Sequence, residues 1–262
     1  MSGRVLGIIP ARLASTRLPN KPLFPLLGHP LVEWVWKRVE GMSVLDQAVV
    51  ATDSEEVADL CRAIGAPVEL TSSDHPSGTD RCAEVARKDQ YRSYDIVVNI
   101  QGDEPLMKEG HLVAAIELVR DGGWEIGTCA TPVLEMAAWE NPSVVKVARA
   151  CSGRALYFSR APIPHKRDRG PTLEELRSGP FLRHIGLYSY TREALEKWVA
   201  LVPSPLEELE RLEQLRPLEA GLSFGVAVVE AAEFGVDTPE DAAKMEKRLE
   251  ELMNYPHVKN GQ

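Results

Sequence analysis

Apolar positions in the first half of the chain fall into two alternating kinds of run, and together they predict a wound α/β sheet. Short, nearly continuous apolar runs at Val5–Ile9, Gln47–Ala51, Pro67–Leu70 and Asp95–Ile100 read as strands. Between them lie stripes of helical period: Leu31–Val39, a segment through Val57, Leu60 and Ile64 that Ser54 can cap, Thr79–Lys88, and Glu109–Arg120. Thr71–Gly78 reads as a polar loop. Strand and helix in succession, with short joints, predict a parallel sheet in a three-layer arrangement. Right-handed crossovers then gather the strand-end loops on one edge.

The second half loses this regularity. Ile126–Val133, Val144–Ala148, Ala155–Phe158 and Ile185–Tyr190 pattern as strands without a helix between each pair. Pro162 to Pro180 reads as a long excursion with one helical patch at Leu173–Leu176. Beyond it the pattern predicts a helix over Pro205–Ala220, a strand over Phe224–Val229 and a final helix over Pro239–Leu252, with a loose end at Tyr255–Gln262. No repeat or low-complexity linker divides the chain. The expectation is a single domain over residues 1–262, with 132–222 as a smaller inserted subdomain.

Open α/β sheets bind ligands outside the carboxyl ends of their strands, and there the chemistry-bearing residues collect. Directly after the first strand, Arg12, Arg17 and Lys21 stand in a Pro-rich loop. So many cations in one loop call for an anion among them, and a triphosphate fits: Arg grips phosphate oxygens in a fork and Lys adds a compact charge. Asn99-Ile100-Gln101-Gly102-Asp103-Glu104-Pro105 closes the fourth strand. There Gly102 would let backbone approach a ligand, and Asp103 is a carboxylate that a polyphosphate tolerates through a divalent cation. Glu104 reads as a turn residue.

In Gly235-Val236-Asp237-Thr238-Pro239-Glu240-Asp241, Thr238 and Asp241 have the spacing of a capping box around Pro239. Asp237 is left without a structural task and pairs naturally with Asp103 as a second Mg²⁺ ligand. In Asp74-His75-Pro76-Ser77-Gly78-Thr79-Asp80-Arg81, Ser77, Gly78 and Arg81 suit the edge of a base such as cytosine, although Thr79 could equally be a helix cap. Strand period puts His184, Gly186 and Tyr188 on one face, with Gly186 leaving a gap that suits a polyhydroxylated ligand. Glu213 and Gln214, read as part of a helix through Leu212–Arg216, could add to it.

Composition narrows the choice of partners. The chain has 262 residues, 44% hydrophobic and 26% charged, which is ordinary for a folded globular protein. A net charge of −9 argues against a nucleic-acid-binding surface and leaves a small anionic ligand possible. No apolar run approaches the roughly 20 residues that span a bilayer, and the opening Met1-Ser2-Gly3-Arg4 has no signal-peptide character. Cys61, Cys82, Cys129 and Cys151 are scattered without a C-x-x-C pair, so reduced thiols in a cytoplasmic protein are expected.

In order along the chain, the Ile9–Pro22 stretch, Ala51-Thr52-Asp53, His75–Arg81, Gln101–Pro105, Ala155–Arg160, Phe181–Tyr188, Leu212–Arg216 and Gly235–Asp241 resemble the 3-deoxy-manno-octulosonate cytidylyltransferases, or CMP-Kdo synthetases. The likeness runs from about Val5 to Glu251. It implies a Rossmann-like nucleotidyltransferase fold with a mixed, mainly parallel sheet, and a subdomain at 132–222 for sugar binding and dimerisation. The reaction implied is CTP + Kdo → CMP-Kdo + pyrophosphate, dependent on Mg²⁺, in a cytoplasmic homodimer that supplies lipopolysaccharide synthesis. Carried over residue by residue, Arg12, Lys21 and Asp103 would be catalytic. Pro10, Ala11, Arg12, Lys21, Ser77, Gly78, Arg81, Gln101 and Asp103 would line the nucleotide site. Gln101, His184, Tyr188, Glu213 and Gln214 would hold the sugar acid, and Asp103 and Asp237 the metal. An acceptor such as amino-substituted Kdo or sialic acid stays open, the latter disfavoured by Thr16-Arg17 where those enzymes carry Ser-Lys. A nucleotide-binding module without catalysis is the reading from another class.

Overall fold

The computed structural model describes residues 3–15, 17–230 and 233–254. Thr16 of the opening motif and the expected loose end at Tyr255–Gln262 lie outside the described residues. The first half forms β1 (Val5–Pro10), the small hairpin β2 (Pro25–Leu26) and β3 (His29–Pro30), α1 (Leu31–Val39), β4 (Gln47–Thr52), α2 (Glu55–Ala63), β5 (Val68–Leu70), α3 (Gly78–Arg87), β6 (Ile96–Asn99) and α4 (Glu109–Arg120). The second half adds β7 (Ile126–Pro132), α5 (Met136–Glu140), β8 (Lys146–Arg149), β9 (Ala155–Ser159), α6 (Leu173–Ser178), β10 (Leu182–Thr191), α7 (Arg192–Ala200), α8 (Pro205–Glu210), α9 (Leu215–Glu219), β11 (Phe224–Val228) and α10 (Pro239–Asn254).

The main sheet has nine strands, in the order β11-β7-β10-β6-β1-β4-β5, with β8 pairing to β10 and β9 to β8. β1, β4, β5 and β6 run parallel, as do β7 and β11, while β10 lies antiparallel between β6 and β7. The chain leaves β1 toward β4 on one side and returns to β6 on the other. That reversal opens a crevice at the carboxyl ends of β1 and β6.

Strand alternation fills both faces. Val5, Ile9, Val50 and Val98 pack with α1, α2, α4 and α10, while Leu6, Ile8, Val49 and Val97 pack with α3, α7 and α9. Local capping sets the starts of α2 and α10 as the sequence predicts, whereas α3 is capped by Ser77 and not by Thr79. Ser54 accepts from the Val57 amide, and Thr238 and Asp241 form the reciprocal bonds of a capping box.

One predicted element is corrected. The helix over Pro205–Ala220 is two helices, α8 and α9, parted by Arg211 in the left-handed region at φ 52°. Pro217 has no amide hydrogen to give to residue 213, and its ring would crowd that carbonyl in a continuous helix. The freed end is taken up from outside, because the Arg160 guanidinium donates to the carbonyls of Glu210 (2.7 Å) and Arg211 (3.2 Å). Leu212–Gln214 therefore lie in a turn rather than on a helix. The sequence reading also lacks α5, α7 and the β2–β3 hairpin.

Candidate active site

The crevice is built by three chain segments that meet beside the end of β1. The β1 loop is pinned at its start: the Ala11 amide donates to the Ala51 carbonyl (2.8 Å) and the Leu13 amide to Asp53 Oδ1 (3.2 Å). An open cleft of about 380 Å³ lies between this loop and the end of β4, lined by Leu13, Ala14, Asn20, Asp53 and Ser54. Arg12 is exposed, with no hydrogen bond or ion pair among the described residues. Asn20 in the left-handed region (φ 52°), then a turn of 3₁₀-helix holding Pro22, sets the backbone at Lys21 and sends its side chain inward.

There Lys21 Nζ meets Asp103 Oδ2 at 2.5 Å and Asp237 Oδ1 at 2.8 Å. Burial by itself would lower the Lys21 pKa, but Asp103 and Asp237 together outweigh it and hold the ammonium above its ordinary value. Arg17 reaches the same Asp237 oxygen at 3.1 Å from a more exposed position. The carboxylates are brought together by backbone as well, since the Val236 amide donates to the Asp103 carbonyl at 2.9 Å.

Gly102 has a different reason from the one its sequence suggests. A Cβ there would stand 2.3 Å from the Pro10 carbonyl oxygen, so the close approach that the structure shows is to β1. Neighbouring Glu104 is more than a turn residue. Burial first, then Asp103, pushes its carboxyl up to about 8. Beside it is a cavity of about 10 Å³, lined by Glu104, Leu106, Met107, His111, Glu233 and Phe234. It has room for about one water and none for a substrate.

Ser77 caps α3, accepting from the Asp80 amide, and Gly78 packs against the Pro10 ring. Arg81 is 2% exposed, and its guanidinium donates to Thr71 Oγ1 and, at 3.3 Å, to Asp53 Oδ2. Two of its nitrogens are thus committed inside the protein, and Asp53 joins α3 to the β1 loop. The sequence reading gave Asp53 no role beyond its motif.

The second-half residues gather on the other side of β6. His184 and Tyr188 lie on one face with ring centroids 5.3 Å apart, and Thr128 Oγ1 meets His184 Nε2 at 2.9 Å. Burial pushes the His184 pKa down to about 3 and the Tyr188 hydroxyl well above its ordinary value, the latter helped by Glu213. The gap expected over Gly186 is filled: Gln101 lies across it and donates to the Gly186 carbonyl at 2.6 Å. Glu213 sits 2.9 Å from Ser77 Oγ, and burial raises its pKa. Gln214, 6% exposed, follows in the same turn.

The cytidylyltransferase family pattern matches residues 6–224. A 3-deoxy-manno-octulosonate cytidylyltransferase of Gemmatimonas aurantiaca is 50% identical over 241 residues, covering 92% of each chain. The chain belongs to the 3-deoxy-manno-octulosonate cytidylyltransferase family. Another member, from Syntrophotalea carbinolica, is 43% identical over 95% of this chain and 99% of its own. A solved CMP:2-keto-3-deoxy-manno-octonic acid synthetase complexed with CTP superposes with a TM-score of 0.86 at 34% identity, covering 95% of this chain and 99% of that one. The sheet described above is thus the α/β nucleotidyltransferase fold of this cytidylyltransferase family, read correctly from the sequence.

A divalent cation fits the donor set. Asp103 and Asp237 aim one oxygen each at a single point, where an ammonium now sits. Among the described residues no group of three or more His, Cys, Asp or Glu gathers as a metal site. Two carboxylates with the remaining positions left to phosphate and water are what Mg²⁺ prefers. Among the described residues no helix is long and apolar enough to cross a membrane.

Proposed function

We propose that this chain transfers the cytidylyl group of CTP to the anomeric hydroxyl of Kdo, giving CMP-Kdo and pyrophosphate for lipopolysaccharide synthesis. The observation that carries this is the convergence of Lys21, Asp103 and Asp237 at the open end of β1 and β6, in a chain similar over nearly its whole length to Kdo cytidylyltransferases. The hydroxyl oxygen bonds to the α-phosphorus as the bond to the pyrophosphate oxygen breaks, and the hydroxyl proton leaves to solvent.

Most of the catalysis assigned to the protein is positioning and charge neutralisation. Arg12 and Lys21, with the backbone at Pro10 and Ala11, hold the triphosphate and take up charge on the departing pyrophosphate. Ser77 and Gly78 meet the base, and Arg81, on the helix they open, ties α3 to the β1 loop through Asp53. Gln101, His184, Tyr188, Glu213 and Gln214 hold the sugar acid, with His184 neutral and Tyr188 protonated as donors or acceptors to hydroxyls. Asp103 and Asp237 hold Mg²⁺, which when bound neutralises phosphate charge and makes the attacking hydroxyl more acidic.

Residues 132–222 form the sugar-binding and dimerisation part of the single unit. Support for the contact comes from Leu134, Met136, Leu156 and Leu173, large apolar side chains exposed within that segment. The site of action is the cytoplasm. Pyrophosphate release from CTP and Mg²⁺, with Kdo, amino-substituted Kdo and sialic acid offered separately, tests the reading. Release with Kdo is expected. Release only with another acid would move the acceptor, and CTP binding without release would sink the activity.

A further inference from the structure

Two carboxylates held side by side need a cation, and in this chain the cation is a side chain. The Asp103–Asp237 pair is also held by contacts that do not involve Lys21. The Val236 amide holds the Asp103 carbonyl, Asp241 Oδ2 accepts from the Asp237 amide at 3.3 Å, and a Cβ on Gly235 would stand 3.6 Å from the Asp103 carboxyl. With the frame fixed, the two carboxylates would repel one another if nothing neutralised them. Lys21 arrives from 82 positions before Asp103 and 216 before Asp237 and places its ammonium on both. Its side chain is 16% exposed, whereas Arg17, the other cation on Asp237, is 65% exposed and more weakly held.

We infer that Lys21 is a removable counter-ion: it fills the cation position between Asp103 and Asp237 until a nucleoside triphosphate draws it away, so that loading of a divalent cation depends on nucleotide. The inference rests on the reading of these two carboxylates as the metal ligands. The lysine stem has four carbons and rotates freely, while its backbone is fixed by Asn20 and Pro22, so the ammonium can turn from carboxylate to phosphate without moving the loop. With nucleotide present, Lys21 exchanges one anionic partner for another and the metal inherits the carboxylates. Without nucleotide, a divalent cation has to expel the half-buried ammonium from both of its carboxylates with no triphosphate to receive it, and binding is weak.

The test is Mn²⁺ binding to the full-length, nucleotide-free protein, followed by electron paramagnetic resonance and by the thermal midpoint. Wild-type protein is expected to bind Mn²⁺ weakly and to gain no thermal stability from it. Lys21→Met is expected to bind at least about tenfold more tightly, since a unit charge facing the metal is removed, and to be stabilised by Mn²⁺. Lys21→Arg, which keeps the charge, is expected to behave as wild type. Lys21→Gln, which keeps a hydrogen bond to one carboxylate, gives the same comparison if the methionine variant does not fold. Equal affinity in wild type and Lys21→Met would overturn the counter-ion role, while loss of Mn²⁺ from the CTP complex of Asp103→Asn would leave the metal ligands standing. Tight binding that survives in Lys21→Met/Asp103→Asn would overturn both, because the cation would then sit elsewhere.

Discussion

Ser77 and Glu213, 136 positions apart in sequence, meet at 2.9 Å, and one belongs to the proposed nucleotide site while the other belongs to the sugar site. Ser77 Oγ also lies 2.6 Å from Asp80 Oδ2. A hydroxyl has a single proton to donate, so it cannot serve both carboxyl groups at once. The two carboxyl groups, both placed to accept from Ser77 Oγ, therefore compete for its proton. The chain Glu213–Ser77–Asp80 thereby runs from the turn between α8 and α9 into the first turn of α3. Ser77→Ala and Glu213→Gln are expected each to raise KM for both substrates. Their combined effect is expected to be non-additive by about 1 kcal/mol. A double-mutant cycle on kcat/KM checks this, and strict additivity would show the contact to be inert.

Asp103→Asn is expected to lower turnover by about 10³-fold or more, the scale of losing a preorganised charge in an active site. Lys21 keeps Asp237 as a partner in that variant, so the unfolding midpoint should move little. Steady-state rates beside a thermal melt decide it; full activity would remove Asp103 from the chemistry.

The Gly102 and Gly186 positions make a matched pair. At Gly102 an added methyl meets the Pro10 carbonyl oxygen at 2.3 Å, while at Gly186 it meets only the Gln101 side chain at 3.6 Å. Gly102→Ala is expected to cost about 1–3 kcal/mol of stability through backbone displacement, and to move Asp103 with it. Gly186→Ala should leave stability nearly unchanged. Denaturant midpoints for the two variants test the difference.

How far such details can be read in advance depends on where their causes lie. The β1 strand and its cationic loop, the Ser54 cap and the Thr238–Asp241 box were legible because period and capping are set within a few residues. The break at Arg211 was not, because the carbonyls it frees are satisfied by Arg160, some 50 positions earlier. α7 is concealed because Thr191 ends β10 and caps the helix at once, accepting from the Ala194 amide. The ligand pairs were visible as residue types, yet nothing local says that Lys21 reaches both Asp103 and Asp237, or that Gln101 covers Gly186.

His184 gives the stability a direction with pH. Its ordinary value is 6.5, and burial pushes it down to about 3 in the folded chain. Between those values the unfolded chain binds a proton that the folded chain refuses. This part of the stability is therefore fully present above pH 6.5 and is lost as pH falls toward 3. His184→Gln is expected to flatten the decline, and urea unfolding at pH 5 and pH 7.5 measures it. An unchanged slope in the variant would place the acid sensitivity elsewhere.

Thiol chemistry separates the four cysteines. Cys61, Cys82 and Cys129 are buried and Cys151 is exposed. Burial pushes the Cys61 thiol up to about 11, Cys129 up to about 12 and Cys82 further up. A thiol reagent is expected to modify one equivalent in the native protein, at Cys151, and all four after unfolding. Rapid reaction at a second position would mean that a core helix or strand opens on the timescale of labelling.

The antiparallel strand β10 has a consequence for how this enzyme family can diversify. It is wedged between β6 and β7, so the strand carrying His184 and Tyr188 is hydrogen-bonded directly to β6, whose end at Asn99 leads into the loop that holds Asp103. No acceptor module can be lifted out and replaced without tearing the central ladder and exposing two raw strand edges. A change of acceptor has to come by exchanging side chains on a fixed frame, one pocket wall at a time, while the triphosphate end is inherited intact.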